Sequence, residues 1–225
     1  MGRFRRVLDW GCGCGRLLAH LFPAFPDKQF TGCDPVPDAI EWCRTQFPAG
    51  QFECIGPFPP TRFDQAEFDL VIGSSVFTHL DRHLQLRWLE ELARILKPGG
   101  LLVASVLGRY AYLRDLCSGS RGRNPLRFYF AKRRLGSGVI IDEFRNDSLR
   151  DHVRSDYYRN TYQGRHYTLR EWSRFFRIRA YLERGLDNYQ DLLVMQRPSS
   201  DSPDGQREGA RTPEESAGQS YGQVS

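Results

Sequence analysis

Asp9-Trp10-Gly11-Cys12-Gly13-Cys14-Gly15 sets three glycines at alternate positions directly after a short apolar run that ends in an acid. The run Arg6-Val7-Leu8-Asp9-Trp10 reads as a buried parallel strand, and residues 15–22 (GRLLAHLF) as the helix that follows, closed by Pro23 and Pro26. Glycines between strand and helix permit positive φ and let a ligand come close to the backbone. The helix start adds free N–H groups and a positive dipole end. A chain that opens this way is constrained to a strand–turn–helix unit with a ligand at the turn. By itself this is a weak signal, shared by nucleotide and flavin folds.

The following segments repeat the alternation. Residues 28–33 (KQFTGC) form a second strand ending at Asp34, and Pro35 stands at the first position of a helix carrying Ala39, Ile40, Trp42 and Cys43. Residues 51–55 make a third strand, followed by the loop Gly56-Pro57-Phe58-Pro59-Pro60. Residues 68–73 (FDLVIG) make a fourth. A helix from about Asp81 to Leu96 puts Leu84, Trp88, Leu92 and Ile95 on one face, and Lys97-Pro98-Gly99-Gly100 ends it. Residues 101–107 are a fifth strand. Strand–helix alternation implies parallel βαβ units with right-handed crossovers.

The pattern breaks over about 108–165, an Arg- and Tyr-rich insertion read as helical only at 109–117. Order resumes at Thr168-Leu169-Arg170-Glu171, a capping box opening a helix through Phe175. Two strands, 176–183 and 189–196, are joined at Gly185–Asn188 as a hairpin. From Pro198 the chain is Ser, Gly, Pro, Gln and charge, and a disordered tail over 198–225 is expected. The expected fold is α/β, a doubly wound Rossmann-like seven-stranded sheet in the order 3-2-1-4-5-7-6. The 189–196 strand is antiparallel and the insertion follows the fifth strand. Residues 1–197 form the domain.

Charge is uneven. Residues 109–184 carry 18 Lys+Arg against 8 Asp+Glu, whereas residues 1–108 carry 11 against 12. The block suits an anionic partner. Only three basic residues are lysines, Lys28, Lys97 and Lys132, and an Arg bias of this kind also follows from genome base composition. No apolar run reaches the ~18 residues of a membrane span. The N-terminal run is too short for a signal peptide, so a cytoplasmic protein is expected. The six cysteines (Cys12, Cys14, Cys33, Cys43, Cys54 and Cys117) contain no CxxC pair and fit small buried thiols better than a metal site.

Asp34 lies 19 residues after Gly15. A carboxylate there accepts ribose hydroxyls, and the alternative is a helix N-cap before Pro35. At this point dinucleotide and S-adenosylmethionine (SAM) readings both stand.

Four segments in order resemble the class I SAM-dependent methyltransferases: VLDWGCGCGRLL, TGCDPVPDAIEWC, FDLVIGSSVFTHLD and ELARILKPGGLLV. The segment YTLREWSRFFRIRAYLERGLDNYQDLLVMQRP resembles the family's final helix and hairpin. The resemblance covers about 5–107 and 165–197. It implies S-adenosyl-L-methionine as cofactor, with Asp9, Gly11, Gly13 and Gly15 around its methionine end and Asp34 on its ribose. Pro35 and the Gly56–Phe58 loop would border the adenine, and Ser74 and Ser75 would lie under the sulfonium. His79, just past the fourth strand, is a candidate general base, or else a histidine that hydrogen-bonds the backbone and fixes its loop. Tyr157, Tyr158, Tyr162, His166 and Tyr167, with Asp142 and Glu143, either face an acceptor or pack the insertion on the sheet. Family members usually carry a helix before the first strand. Here that strand starts within a few residues of Met1, so either the natural start lies upstream or the cofactor site is more open than usual.

The expected activity is methyl transfer from SAM to an O or N atom of a small molecule, glycan or lipid-linked acceptor, anionic if the arginines take part. Alternatives are an RNA methyltransferase, a non-catalytic SAM-binding protein and an NAD-type oxidoreductase. The RNA reading lacks an Asn/Asp-Pro-Pro-Tyr/Phe site, where Gly73-Ser74-Ser75-Val76 stands. The oxidoreductase reading lacks a Tyr-Lys pair in a matching place.

Overall fold

The computed structural model describes residues 4–118, 135, 138–145 and 159–199. Seven strands form one sheet: β1 (Arg6–Trp10), β2 (Gln29–Asp34), β3 (Gln51–Cys54), β4 (Phe68–Gly73), β5 (Leu96–Val106), β8 (Arg177–Leu186) and β9 (Gln190–Gln196). Their spatial order is β3-β2-β1-β4-β5-β9-β8. Counted within this sheet alone, that is 3-2-1-4-5-7-6, as the alternation predicts. β1 through β5 pair in parallel, and β9 is antiparallel to both β5 and β8.

Side-chain alternation along each strand sorts the core into two layers. One face carries Leu8, Trp10, Val71, Leu102 and Met195. It is covered by α3 (Arg82–Ile95), through Trp88, Leu89 and Leu92, and by Trp172 and Phe176. The other face carries Val7, Phe30, Phe52 and Leu70, under α1 (Arg16–Ala24) and α2 (Pro37–Gln46). A fully buried Leu or Phe of this kind contributes about 1.5–3 kcal/mol. Asp81 caps α3, its side chain accepting the Leu84 N–H at 2.8 Å.

Several local expectations need correction. α1 continues through Pro23 to Ala24, because a proline in the last turn removes only one intrahelical bond. α2 starts at Pro37, not Pro35. Its N-cap is Val36, and Asp34 holds the Val36 N–H from two residues before that cap. Lys97-Pro98-Gly99-Gly100 does more than stop α3. These residues extend β5, with a register shift against β4 between Phe68 and Leu70.

The insertion has more order than its sequence suggests. α4 (Arg109–Ser118) is followed by β6 (Val139–Arg145) and β7 (Arg159–Gln163), which pair antiparallel as a separate two-stranded sheet. Tyr162 packs there with Leu107, Ala111 and Leu135. The last helix, α5 (Arg165–Trp172), starts three residues before Thr168, with Gly164 as N-cap. Thr168 therefore forms no capping box. Its hydroxyl bonds back to the Gly164 carbonyl at 3.1 Å. The β8–β9 turn is tight. Asp187 (φ 52) and Asn188 (φ 54) are both left-handed and Tyr189 N–H closes on Leu186 O, a type I′ arrangement suited to strand twist. Tyr157, Tyr158 and the tail from 200 lie outside the described residues, as do the side chains of Asp142 and Glu143. Among the described residues no helix is long and apolar enough to cross a membrane.

Candidate functional site

The strand order reverses between β1 and β4, and an open α/β sheet of this kind binds ligands beyond the carboxyl ends of the strands at that point. A cavity of about 530 Å³ lies there. Of the candidate residues, Gly11, Gly13, Asp34, Pro35, Ser74, Ser75 and His79 line it. Asp9, Gly15 and Phe58 do not, although Gly56 and Pro57 do.

The glycine turn is bent by three left-handed residues, Gly11 (φ 76), Gly13 (φ 51) and Gly15 (φ 76). Their roles differ. A Cβ on Gly11 would stand 2.4 Å from Val76 Cγ2, so this glycine lets the 74–76 turn close on the loop. A Cβ on Gly13 would meet no protein atom within 4 Å, so this face of the turn is open to the cavity that Gly13 lines. Gly15 caps α1, and a Cβ there would strike Phe47 at 2.7 Å. It is a packing glycine, turned away from the cavity.

Asp34 binds the turn from β2. Its Oδ2 accepts the Gly13 N–H at 2.9 Å and its Oδ1 the Val36 N–H at 3.0 Å. Burial raises its pKa, partly offset by these two N–H donors. A carboxylate has about four acceptor sites, so lone pairs remain for hydroxyl groups. Asp9 lies deeper, 3% exposed, with Oδ2 lacking a hydrogen-bond partner. Burial, and next the charge of Asp34, push its pKa up to about 7. Such an acid is completed by a cation or by bridging water. Cys12 and Cys43 thiols both point at the Gly13 carbonyl, at 3.5 and 3.3 Å, and burial pushes both thiols up. They act as small packing groups behind the turn. Among the described residues no group of three or more His, Cys, Asp or Glu is arranged to hold a metal.

The open glycine face, the two acids and the apolar wall fit SAM. Its ribose suits Asp34, Gly13 leaves room for its carboxylate beside the start of α1, and the unpartnered Oδ2 of Asp9, which does not line the cavity, suits its ammonium only through bridging water.

His79 lies on a single 3-10 turn, Phe77–His79. Gln85, fully buried on α3, fixes that turn by donating to the Phe77 and Leu80 carbonyls at 3.0 and 3.1 Å. Ser75 is left-handed at φ 60, which costs a residue with a Cβ about 1–2 kcal/mol. Its N–H donates to Ser105 Oγ at 2.7 Å, and its carbonyl accepts from Thr78 Oγ1 at 2.6 Å. Its hydroxyl meets the Gln190 amide, 2.9 Å from Nε2 and 3.2 Å from Oε1.

Sequence reasoning missed Arg16, Ile55, Leu80 and Trp88 on the cavity wall, and Ser105 and Gln190 behind Ser75. The helical period identified Trp88 as a core residue, but not its reach to the cavity. Gln190 is found only by recognising that an antiparallel last strand brings its first residues, not its last, to the carboxyl edge of the sheet.

Residues 8–102 match the family model described as a methyltransferase domain. Over 102 residues the chain is 34% identical to a fatty-acid O-methyltransferase of Mycolicibacterium smegmatis, covering 43% of this chain and 35% of that protein. It is 28% identical to a malonyl-[acyl-carrier protein] O-methyltransferase of Hahella chejuensis, covering 45% and 36%. A tRNA N(3)-methylcytidine methyltransferase of Schizosaccharomyces pombe is 29% identical over 50% of this chain and 45% of its own. The chain thus spans well under two thirds of each of these relatives. In fold it is similar to a SAM-dependent methyltransferase of Methanosarcina mazei, with TM-score 0.59 and 18% identity, covering 88% of this chain and 95% of that one. The methyltransferase of Mesorhizobium loti gives TM-score 0.57 at 15% identity, with 86% and 91% covered. Residues 8–102 are therefore similar to a methyltransferase domain, and the described chain shares the fold of these two structures.

Proposed function

We propose that this chain transfers a methyl group from S-adenosyl-L-methionine to an oxygen or nitrogen atom of a small molecule, glycan or lipid-linked acceptor. The observation that carries the reading is Asp34. One carboxylate joins the glycine turn to the end of β2, lines the cavity, and keeps lone pairs for a ribose. When bound, SAM supplies a methyl carbon already activated by a sulfonium. Gly11 and Gly13 admit the methionyl part, with Asp9 facing its ammonium through bridging water. Pro35, Ile55, Gly56 and Pro57 form the wall for the base, with Phe58 at its outer edge. Ser74 and Ser75 stand at the reacting end. His79 takes up a proton where the acceptor carries one. Alignment of acceptor and methyl carbon supplies much of the rate in such a site.

Two relatives by name act as O-methyltransferases, on a fatty acid and on a malonyl carrier protein, and this supports an oxygen acceptor. Calorimetry with S-adenosylhomocysteine (SAH), followed by labelled SAM in cell extract, tests the reading. SAH should bind, NADH should not displace it, and one labelled class of product should appear. A folded chain that ignores SAH, or that releases it to micromolar NADH, would overturn the assignment.

A further inference from the structure

We infer that Arg82, Arg170 and Arg174 form a seat for a phosphate monoester carried by the methyl acceptor, next to the turn that holds His79. This rests on the methyltransferase reading above and names the anionic group of its acceptor.

The three guanidiniums come together from separate parts of the fold. Arg82 is the first residue of α3, Arg170 lies in the last turn of α5, and Arg174 stands just past the end of α5. All three converge on one carboxylate. Glu171 lies 2.8 Å from Arg170, 3.4 Å from Arg174 and 3.7 Å from Arg82. The hydrogen bond from Arg170 does most to lower its pKa, and the charge of Arg82 adds to it. Among the described residues no other acid pairs with these arginines. Asp81, next to Arg82, is engaged with the Leu84 N–H at the start of α3. Three positive charges therefore meet one negative charge, and two are left over.

Burial separates the partners. The Glu171 side chain is 10% exposed, whereas those of Arg82, Arg170 and Arg174 are 58%, 57% and 63% exposed. The carboxylate lies beneath and orders the guanidiniums, which stand in solvent. Each guanidinium has five N–H donors, and Glu171 occupies only a minority of them. Arg82 is held again by stacking over the Tyr167 ring, 5.5 Å from its centroid. Forks fixed in this way lose little freedom when they grip an anion.

Charge and shape name that anion. A carboxylate brings one charge and two oxygens in a plane. A phosphate monoester brings close to two charges at neutral pH and three acceptor oxygens, matching two surplus charges and three forks. A nucleic-acid strand spaces single charges along its length and calls for cations in a row, whereas these three meet at a point. The start of α3 adds the positive end of its helix dipole beside Arg82.

The seat adjoins the reacting end of the cavity. Trp172 of α5 packs on Phe77, with ring centroids 4.6 Å apart, and Phe77 opens the 3-10 turn that ends at His79. His79 and Leu80 line the cavity, and Arg82 follows them in the chain. An acceptor anchored here by its phosphate extends past His79 toward the methyl group.

The test is calorimetric titration of phenyl phosphate into the full chain saturated with SAH at pH 8, with phenyl sulfate as the singly charged control. Wild type should bind phenyl phosphate at least tenfold more tightly than phenyl sulfate. Arg170→Gln and Arg174→Gln should each weaken phenyl phosphate at least fivefold and change SAH affinity less than twofold. Equal affinity for the two esters, or phosphate binding that both variants retain, overturns the seat. A decauridylate that binds through these arginines while phenyl phosphate does not would also overturn it, and would mark a nucleic-acid surface instead. SAH binding without phenyl phosphate binding overturns the seat and leaves the methyltransferase reading standing. Failure of SAH itself to bind overturns both. The comparison of the two esters needs no variant and decides the matter if the substitutions unfold.

Discussion

Asp34 Oδ2 accepts the Gly13 N–H at 2.9 Å, so the carboxylate expected at the ribose also holds the glycine turn in place. Asp34→Ala should therefore fail twice. The melting temperature should fall, and SAH affinity of the folded protein should drop by about 1–3 kcal/mol, the scale for a lost charged hydrogen-bond partner. Asp34→Asn retains one oxygen and should recover part of the stability but little of the affinity. Calorimetry at a temperature where both variants are folded separates the two effects. Unchanged affinity in folded Asp34→Ala would reduce this residue to a turn anchor.

Asp9 gives the ligand-free protein a pH signature. Its carboxyl titrates at about 7 when folded against 3.8 in the ordinary state. Between those values the folded chain binds more protons than the unfolded one. Stability from this group is therefore full at low pH and is lost as pH rises toward 7, on the order of 4 kcal/mol in all. Asp9→Asn should flatten that slope in thermal melts between pH 5 and 7, by the scale of that same shift, taken as roughly two pH units. An ammonium placed beside Asp9 favours its ionised form. SAH binding near pH 6 should then release a proton, read from calorimetry in buffers of different ionisation heat. Proton release that persists in Asp9→Asn would point to another group.

Gly11 and Gly13 should part company under the same substitution. Gly11→Ala forces a Cβ to 2.4 Å from Val76 Cγ2 at φ 76, and should cost about 2–4 kcal/mol of stability. Gly13→Ala has open space, and should cost about 1 kcal/mol of stability while SAH affinity falls much further. Denaturant melts and calorimetry on both variants check this. Adding Val76→Ala should restore part of Gly11→Ala and nothing of Gly13→Ala.

Gln85→Leu should destabilise by about 1–3 kcal/mol, because it takes this donor from the Leu80 carbonyl and leaves the Phe77 carbonyl only the Leu80 N–H. The 3-10 turn that carries His79 should loosen with it. Hydrogen exchange at the Leu80 amide, now bonded to the Phe77 carbonyl, reports this directly. A variant as stable as wild type would show that the turn holds without the amide.

The fold was legible wherever strand and helix alternate with one face buried. Val7, Phe30 and Leu70 against Leu8, Trp10 and Val71 is a pattern that periodicity reads well. The glycine turn and Asp34 were legible because a ligand at a helix start needs small residues and an acid at a fixed interval. What stayed hidden was set by tertiary pairing. Asp34 gave no hint that it binds Gly13, since the partner lies 21 residues away on another turn. Phe58 was placed toward the cavity by its loop, yet it is 53% exposed, because Gly56 and Pro57 already close that side. Thr168 and Glu171 have capping-box spacing, but Gly164 opens the helix one turn earlier and the local rule is overridden. β6 and β7 are short strands separated by a long stretch of sequence, and their pairing leaves no local period.

The place of β9 also fixes when the protein becomes competent. It is inserted between β5 and β8 and is the last strand of the sheet in sequence. On the ribosome, chains grow from the N-terminus, and domains form as their parts emerge. The glycine turn, Asp34 and the 3-10 turn are all made early, whereas Gln190 leaves the tunnel only after nearly the whole fold. A nascent chain should thus present the glycine turn and Asp34 well before Gln190 arrives to close the wall behind Ser75, so this side of the cavity is completed only as the last strand is added.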